Sequence, residues 1–171
     1  MSHHIEGQQF MEGSTKVLVG TAVCIVLVAS ILFLSGPYLV ILFATDVPFE
    51  EVERSSGMSS GYESRSNLTI RSAPAWENLW LEIHGGEVPV PECPAINFTS
   101  EMIIAVLRGY CGSGGFSTTI VRAISTGTYY IVYVEESLYG DLTEVISYPY
   151  HIVKISKAPR NMQFQFVYTK V

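Results

Sequence analysis

The sequence predicts a β-rich α+β protein: an N-terminal transmembrane helix, then a small antiparallel β-sandwich or partial barrel of five to six strands with one helix packed on it. Three observations predict it. An uncharged run rich in Val, Leu, Ile and Phe fills 17–45, bounded by Lys16 and Asp46. Beyond it, apolar residues recur with period two in short stretches separated by turn residues, the pattern of half-buried strands. A single stretch, 73–84, carries instead the 3.6-residue period of an amphipathic helix.

The apolar run comes first. A helix rises about 1.5 Å per residue, so about 20 apolar residues cross the hydrocarbon core of a bilayer. The 17–45 run exceeds that, with Gly36-Pro37 as the natural place for a kink or a stop, because Pro37 lacks an N–H and disfavours helix in the residue before it. It is also too long for the h-region of a secretory signal, about 7–15 residues behind a basic n-region, and residues 1–16 supply Glu6, Glu12 and a single Lys. The expectation is an uncleaved anchor over 17–45 behind a short cytoplasmic leader, 1–16. Lys16 lies on the N-terminal side, whereas Asp46, Glu50, Glu51 and Glu53 precede Arg54 on the other, so the N-terminus is expected in the cytoplasm and the C-terminal domain outside the cell.

Two features agree with export. Asn67-Leu68-Thr69 and Asn97-Phe98-Thr99 match the N-glycosylation acceptor pattern, which marks Asn67 and Asn97. Cys93 and Cys111, the cysteines outside the apolar run, are candidates for a disulfide in an oxidising compartment, worth about 3 kcal/mol by chain entropy if formed. The alternative is two small buried hydrophobes.

The segment 46–66 reads as a flexible linker, because four carboxylates are followed by Ser55-Ser56-Gly57-Met58-Ser59-Ser60-Gly61. The domain is then expected over 67–171. A short strand is expected at 67–70. Ser72 is placed to cap the helix that follows, Pro74 suits its first turn, and Trp76, Leu79, Trp80 and Ile83 form its apolar stripe. Gly85-Gly86 is expected to end it in a left-handed residue. Both tryptophans of the protein lie on this stripe. A helix burying the stripe on a sheet accounts for the spacing better than an aromatic ligand platform.

Pro89, Pro91 and Pro94 keep 88–94 extended without a full ladder of hydrogen bonds. Strands are expected at 102–107, 116–124, 128–135, 151–155 and 162–168, each rich in β-branched or aromatic residues. Ser125-Thr126-Gly127 has the composition of a hairpin turn. The glycine-rich loop 109–115 lacks the Gly-Lys-Ser/Thr ending and the following helix of a phosphate-binding P-loop, and is expected to be a wide hairpin or bulge. A second loop, 137–148, carries Tyr139, Asp141, Glu144 and Tyr148 as candidates for contact with a partner.

Several pieces of this pattern occur together in a known domain type. They are Arg71-Ser72-Ala73-Pro74-Ala75-Trp76-Glu77-Asn78-Leu79-Trp80, Ile96-Asn97-Phe98, Gly109 with Gly112-Ser113-Gly114-Gly115-Phe116, the stretch 129–135, and Tyr148-Pro149-Tyr150-His151-Ile152-Val153-Lys154-Ile155. Over roughly 70–157 the chain resembles the PrcB-type C-terminal domain, named for an accessory lipoprotein that stabilises a surface protease complex. The resemblance implies a small, β-rich, non-enzymatic domain on an exported protein. The chain departs from the namesake in carrying an apolar helix where that protein carries a lipid on cysteine.

Charge and chemistry narrow the function. Nearly all of the net charge of −6 falls on the expected exported part, which disfavours nucleic acid as a partner, since that affinity rests on Lys and Arg neutralising phosphate. Outside the leader the histidines are His84 and His151. A Cys111 nucleophile with His151 as base is the enzymatic alternative, without a local signature around either residue. Zinc held by Cys93, Cys111, His84 and His151 has suitable atom types but none of the usual ligand spacings. Glu135 and Glu136 are adjacent on a strand and point to opposite faces. The expectation is therefore a non-catalytic accessory domain without cofactor, held to the lipid bilayer by its anchor helix and acting by contact with an exported protein, a protease among the candidates. A ligand-sensing ectodomain is the remaining alternative.

Overall fold

The computed structural model describes residues 44–55, 62–137, 144–159 and 163–171. The chain divides into two compact units, Met1–Phe43 and Ala44–Val171. The leader and all but the last residues of the expected anchor lie outside the described residues. Among those described, no helix is long and apolar enough to cross a membrane.

The second unit contains eight strands and one helix among the described residues. They are β1 (Thr45–Asp46), β2 (Phe49–Ser55), β3 (Ser66–Ile70), α1 (Ala73–His84), β4 (Glu101–Leu107), β5 (Thr118–Ser125), β6 (Tyr129–Glu136), β7 (Tyr150–Ser156) and β8 (Gln163–Lys170). They form two four-stranded sheets, an outer one in the order β1-β5-β6-β8 and a middle one in the order β2-β7-β4-β3. Helix α1 covers the free face of the middle sheet, so the unit has three layers.

Strand β4 shows why. Its sequence, EMIIAVL, has no polar alternation, and Met102 to Leu107 are all buried. A strand covered on both faces reads as such a continuous apolar run. Successive side chains point to opposite faces: Ile103, Ala105 and Leu107 meet the Trp76, Leu79, Trp80 and Ile83 stripe of α1, whereas Met102, Ile104 and Val106 meet Ile120, Val132 and Val134 of the outer sheet. Neighbouring β7 divides the same way, with Tyr150 and Ile152 toward the helix and Val153 and Ile155 toward the outer sheet. The tryptophan stripe is thus core, and the indole N–H groups of Trp76 and Trp80 donate to the carbonyls of Pro94 (2.9 Å) and Pro91 (3.0 Å). The proline-rich segment is strapped along the helix by these bonds.

Four expectations are corrected. The 46–66 linker contains β1 and β2, and Ser66 already belongs to β3. Strand β2 pairs with β7 along its whole length, with a bulge between Glu51 and Glu53. Its carboxylates each have a partner from elsewhere in the chain, Glu50 and Glu51 while still exposed to solvent. Glu50 pairs with Lys154 (3.1 Å), Glu51 with His151 (3.0 Å) and Glu53 with His84 (2.9 Å), while Phe49 and Val52 pack on the two cores. Among the described residues the strand number is accordingly eight.

The sheets are also not wholly antiparallel, because β8 pairs parallel with β6. The chain leaves the outer sheet after β6, runs through β7 in the middle sheet and returns, and two reversals restore the original direction. Finally, both helix ends differ in detail. Ser72 occupies the cap position without a side-chain cap bond, and Gly85 is right-handed (φ −63°). The C-terminus is closed by the Glu87 N–H donating to the His84 carbonyl (2.9 Å). At Gly127 the expected hairpin forms, with φ +81° and Thr126 N–H donating to the Tyr129 carbonyl (3.0 Å).

Truncating β4 tests the two-sided core. Ile104→Ala is expected to lower the unfolding free energy by about 2–5 kcal/mol, whereas Val167→Ala, 42 % exposed on β8, is expected to stay within about 0.5 kcal/mol of the parent. Urea unfolding of the two variants checks both values.

Candidate functional site

His151 lies on β7 with its side chain between the sheets, 2 % exposed. Its Nδ1 accepts the Ile120 backbone N–H of β5 (2.7 Å), and its Nε2 faces Glu51 Oε2 of β2 (3.0 Å). A nitrogen that accepts a backbone N–H carries no proton, so the ring is the neutral tautomer with Nε2–H donating to Glu51. Burial pushes its pKa down, and the Glu51 carboxylate opposes that shift. The N–H it accepts lies at the β5 bulge between Ile120 and Arg122. His151 thus joins three strands across both sheets, and neither ring nitrogen is left to take a proton from Cys111.

Cys111 sits elsewhere in the fold. Its backbone pairs with Ser147 in an isolated antiparallel bridge, and its Sγ lies 3.8 Å from the Gly109 carbonyl oxygen. Cys93 is half-buried against the helix core. Both are free thiols here, and burial pushes both thiol pKa values up, away from the reactive thiolate.

His84, at the end of α1, places Nδ1 2.8 Å from Glu87 and Nε2 2.9 Å from Glu53, with the Trp80 ring tilted 41° against it at 4.2 Å. Glu53 also raises the pKa of Tyr150, where burial is the larger cause. Among the described residues no three His, Cys, Asp or Glu side chains are grouped as metal ligands.

The least expected cluster is ionic. Glu136, 2 % exposed, receives Arg65 through both guanidinium nitrogens (2.5 and 2.9 Å), with Arg108 Nε at 3.9 Å. The paired carboxylate raises the Arg65 pKa above its ordinary value. Arg65 also stacks over Tyr168 (4.6 Å), and Arg108 over Phe116 (4.7 Å). Arg108 donates to the carbonyls of Ser117 (2.7 Å) and Ser137 (3.0 Å), which pins the bases of two loops. Glu136 was legible in one respect: it shares its face with Val132 and Val134, so strand parity alone turns it inward. Gly109 completes this corner. Its φ is +83°, and a Cβ there would meet the backbone of Glu63, Ser64 and Arg65 at 2.8 Å.

The loops pinned at this corner carry an exposed face. In the Cys111–Ser147 bridge both residues point inward and are buried, so their neighbours point outward together. Tyr110 is 55 % exposed and Ile146 45 %, and Tyr110 meets Tyr148 edge-on at 6.1 Å. Ser147 Oγ donates to the Ser113 carbonyl (2.7 Å), tying the glycine-rich loop to this pair. Of the other loop candidates, Glu144 is exposed, whereas Tyr139 and Asp141 lie outside the described residues.

Asn67 and Asn97 are both exposed. Asn67 Oδ1 accepts the Tyr168 hydroxyl (2.5 Å), which closes the gap between β3 and β8. Asn97 Oδ1 accepts from the Thr99 N–H (3.2 Å) and Thr99 Oγ1 (2.5 Å) in a surface turn.

Comparison with known proteins found no match, whether to a family model, a curated protein or a solved structure.

Stability is expected to fall as pH drops below about 6.5, because the unfolded histidine binds a proton there while the folded ring, its pKa lowered, resists it. His151→Asn keeps an acceptor for the Ile120 N–H and removes the titration, so its unfolding midpoint should depend less on pH between 6.5 and 4.5. Glu136→Gln is expected to destabilise the fold by about 1.5–3 kcal/mol, the worth of charged hydrogen bonds, since the half-exposed Arg65 regains water. Thermal and urea unfolding read both effects.

Proposed function

We propose that the chain is a non-catalytic binding module, held at the membrane by its apolar N-terminal run, whose exported domain contacts and stabilises an exported partner protein. The observation that carries this reading is the outward face of Tyr110, Ile146 and Tyr148. Tyrosines on loops anchored to a rigid scaffold are the usual makings of a contact hot spot, and Ile146 adds apolar area beside them. The corner beneath holds the loops with a buried ion pair, so the face is presented without a large ordering cost on binding. The involvement of His84 and His151 in structural hydrogen bonds supports a binding role over a thiol or hydrolytic one. The resemblance to the PrcB-type domain makes a surface protease the first partner to look for.

The test is crosslinking and pull-down of the full chain from intact membranes, with mass spectrometry of what is captured. Tyr110→Ala and Ile146→Asp are expected to reduce recovery of a recurring exported partner by about tenfold or more, the loss that accompanies removal of a contact worth at least 1.4 kcal/mol. Both variants should keep the parent unfolding midpoint within a few degrees. Cys111→Ser is expected to leave capture unchanged. Absence of any recurring partner from the folded, exposed domain would overturn the reading.

A further inference from the structure

Each four-stranded sheet ends in two edge strands, whose unpaired N–H and C=O groups invite pairing with another strand. Three of these edges are blunted. Strand β1 is two residues long, and the β5 edge beyond it is bulged and spends its Ile120 N–H on His151. Strand β3 has five residues, and β2 is bulged and carries Glu50, Glu51, Glu53 and Arg54. Strand β8 has none of these devices. It runs for eight residues in unbroken register with β6, without proline and with Lys170 as its charged side chain. Among the described residues it pairs on one side only.

The groups left at this edge follow from the ladder. The Val171 N–H donates to the Glu136 carbonyl (2.9 Å), so the odd-numbered residues of β8 bond to β6. Backbone direction alternates along a strand, and the N–H and C=O of Phe164, Phe166 and Tyr168 therefore face the open edge. The same three residues turn their rings inward, half-buried against the core between the sheets.

We propose that this edge is a dimerisation site, and that its occupant is β8 of a second copy of the chain, paired antiparallel about a twofold axis at Phe166. Self-complementarity selects the occupant. With Phe166 opposite its own copy, Phe164 falls opposite Tyr168. All three pairs then join residues whose free groups face the edge, and each exchanges two main-chain hydrogen bonds. Each also sets one aromatic ring opposite another on the inner face, a favourable cross-strand combination. Of the registers that keep edge-facing residues opposite one another, this one pairs all three rings. On the outer face Gln165 falls opposite Val167 and Gln163 opposite Thr169. No charged side chain occurs from 163 to 169, so a chain of net charge −6 meets its copy without like charges across the seam.

The experiment measures the mass of the full chain in detergent micelles by light scattering across the micromolar range, and maps the contact with added cysteines. A dimer is expected. Gln165→Cys mixed with Val167→Cys should form a disulfide between 165 and 167, identified by peptide mass spectrometry, because such non-hydrogen-bonded partners lie about 4.5 Å apart at Cα. Gln165→Cys alone should not link, since it lies diagonal to its own copy, about 7–8 Å away. Gln165→Lys and Val167→Lys in one chain set like charges opposite each other twice and should weaken the dimer about tenfold. Both positions are exposed, so that chain should remain folded, and mixing it with a Gln165→Glu, Val167→Glu chain should restore association. A monomer throughout the range overturns the proposal. So does a dimer that the lysine variant leaves unchanged or whose 165 and 167 cysteines do not link, because self-association then lies elsewhere in the chain.

Discussion

Burying β4 on both faces is the constraint from which the remaining architecture follows, because a strand in the middle of three layers needs a cover on each side. The helix stripe of Trp76, Leu79, Trp80 and Ile83 supplies one cover and the inner face of the outer sheet supplies the other. Since both faces of β4 are apolar, hydrophobicity alone does not distinguish its register from one slipped by a residue. Size does. The small Ala105 lies on the face that receives the two indoles, and the longer Met102 and Ile104 lie on the face that meets Val132 and Val134. Exchanging the two sets would crowd one core and leave voids in the other, and both errors are destabilising.

Polar contacts then lock the layers that burial brings together. His151 reaches from β7 to β5 with one nitrogen and to β2 with the other. His84 ties the end of α1 to β2 through Glu53. The acidic strand β2 is thus the common partner of the helix and of the central strand β7, and it occupies the sheet edge by virtue of those partners as much as its own Phe49 and Val52. At the opposite edge Glu136 plays the corresponding role for Arg65 and Arg108. Each of these buried groups is satisfied, which is the condition under which polar networks rigidify a fold and do not weaken it.

This rigidity bears on function. The loops at 109–117 and 144–149 are anchored by Arg108, by the Cys111–Ser147 bridge and by the close approach at Gly109. The exposed face of Tyr110 and Ile146 stands on that base.

The positions of α1 and of six of the eight strands were legible in the sequence because each has its own period: 3.6 residues from Trp76 to Ile83, and alternation or an unbroken β-branched run in the strands. The turn at Gly127 was legible because its backbone demands that residue. The role of β2 was not, because a run of glutamates looks alike whether it faces only water or pairs with His84, His151 and Lys154, and those partners come from 31 to 104 positions away. Nor was the parallel pairing of β6 with β8, which depends on the chain changing sheets twice. Local periodicity fixes what an element is. Which charges are neutralised, which sheet edge is left open and which loop residues share a face are set by long-range proximity, which no stretch of sequence carries by itself.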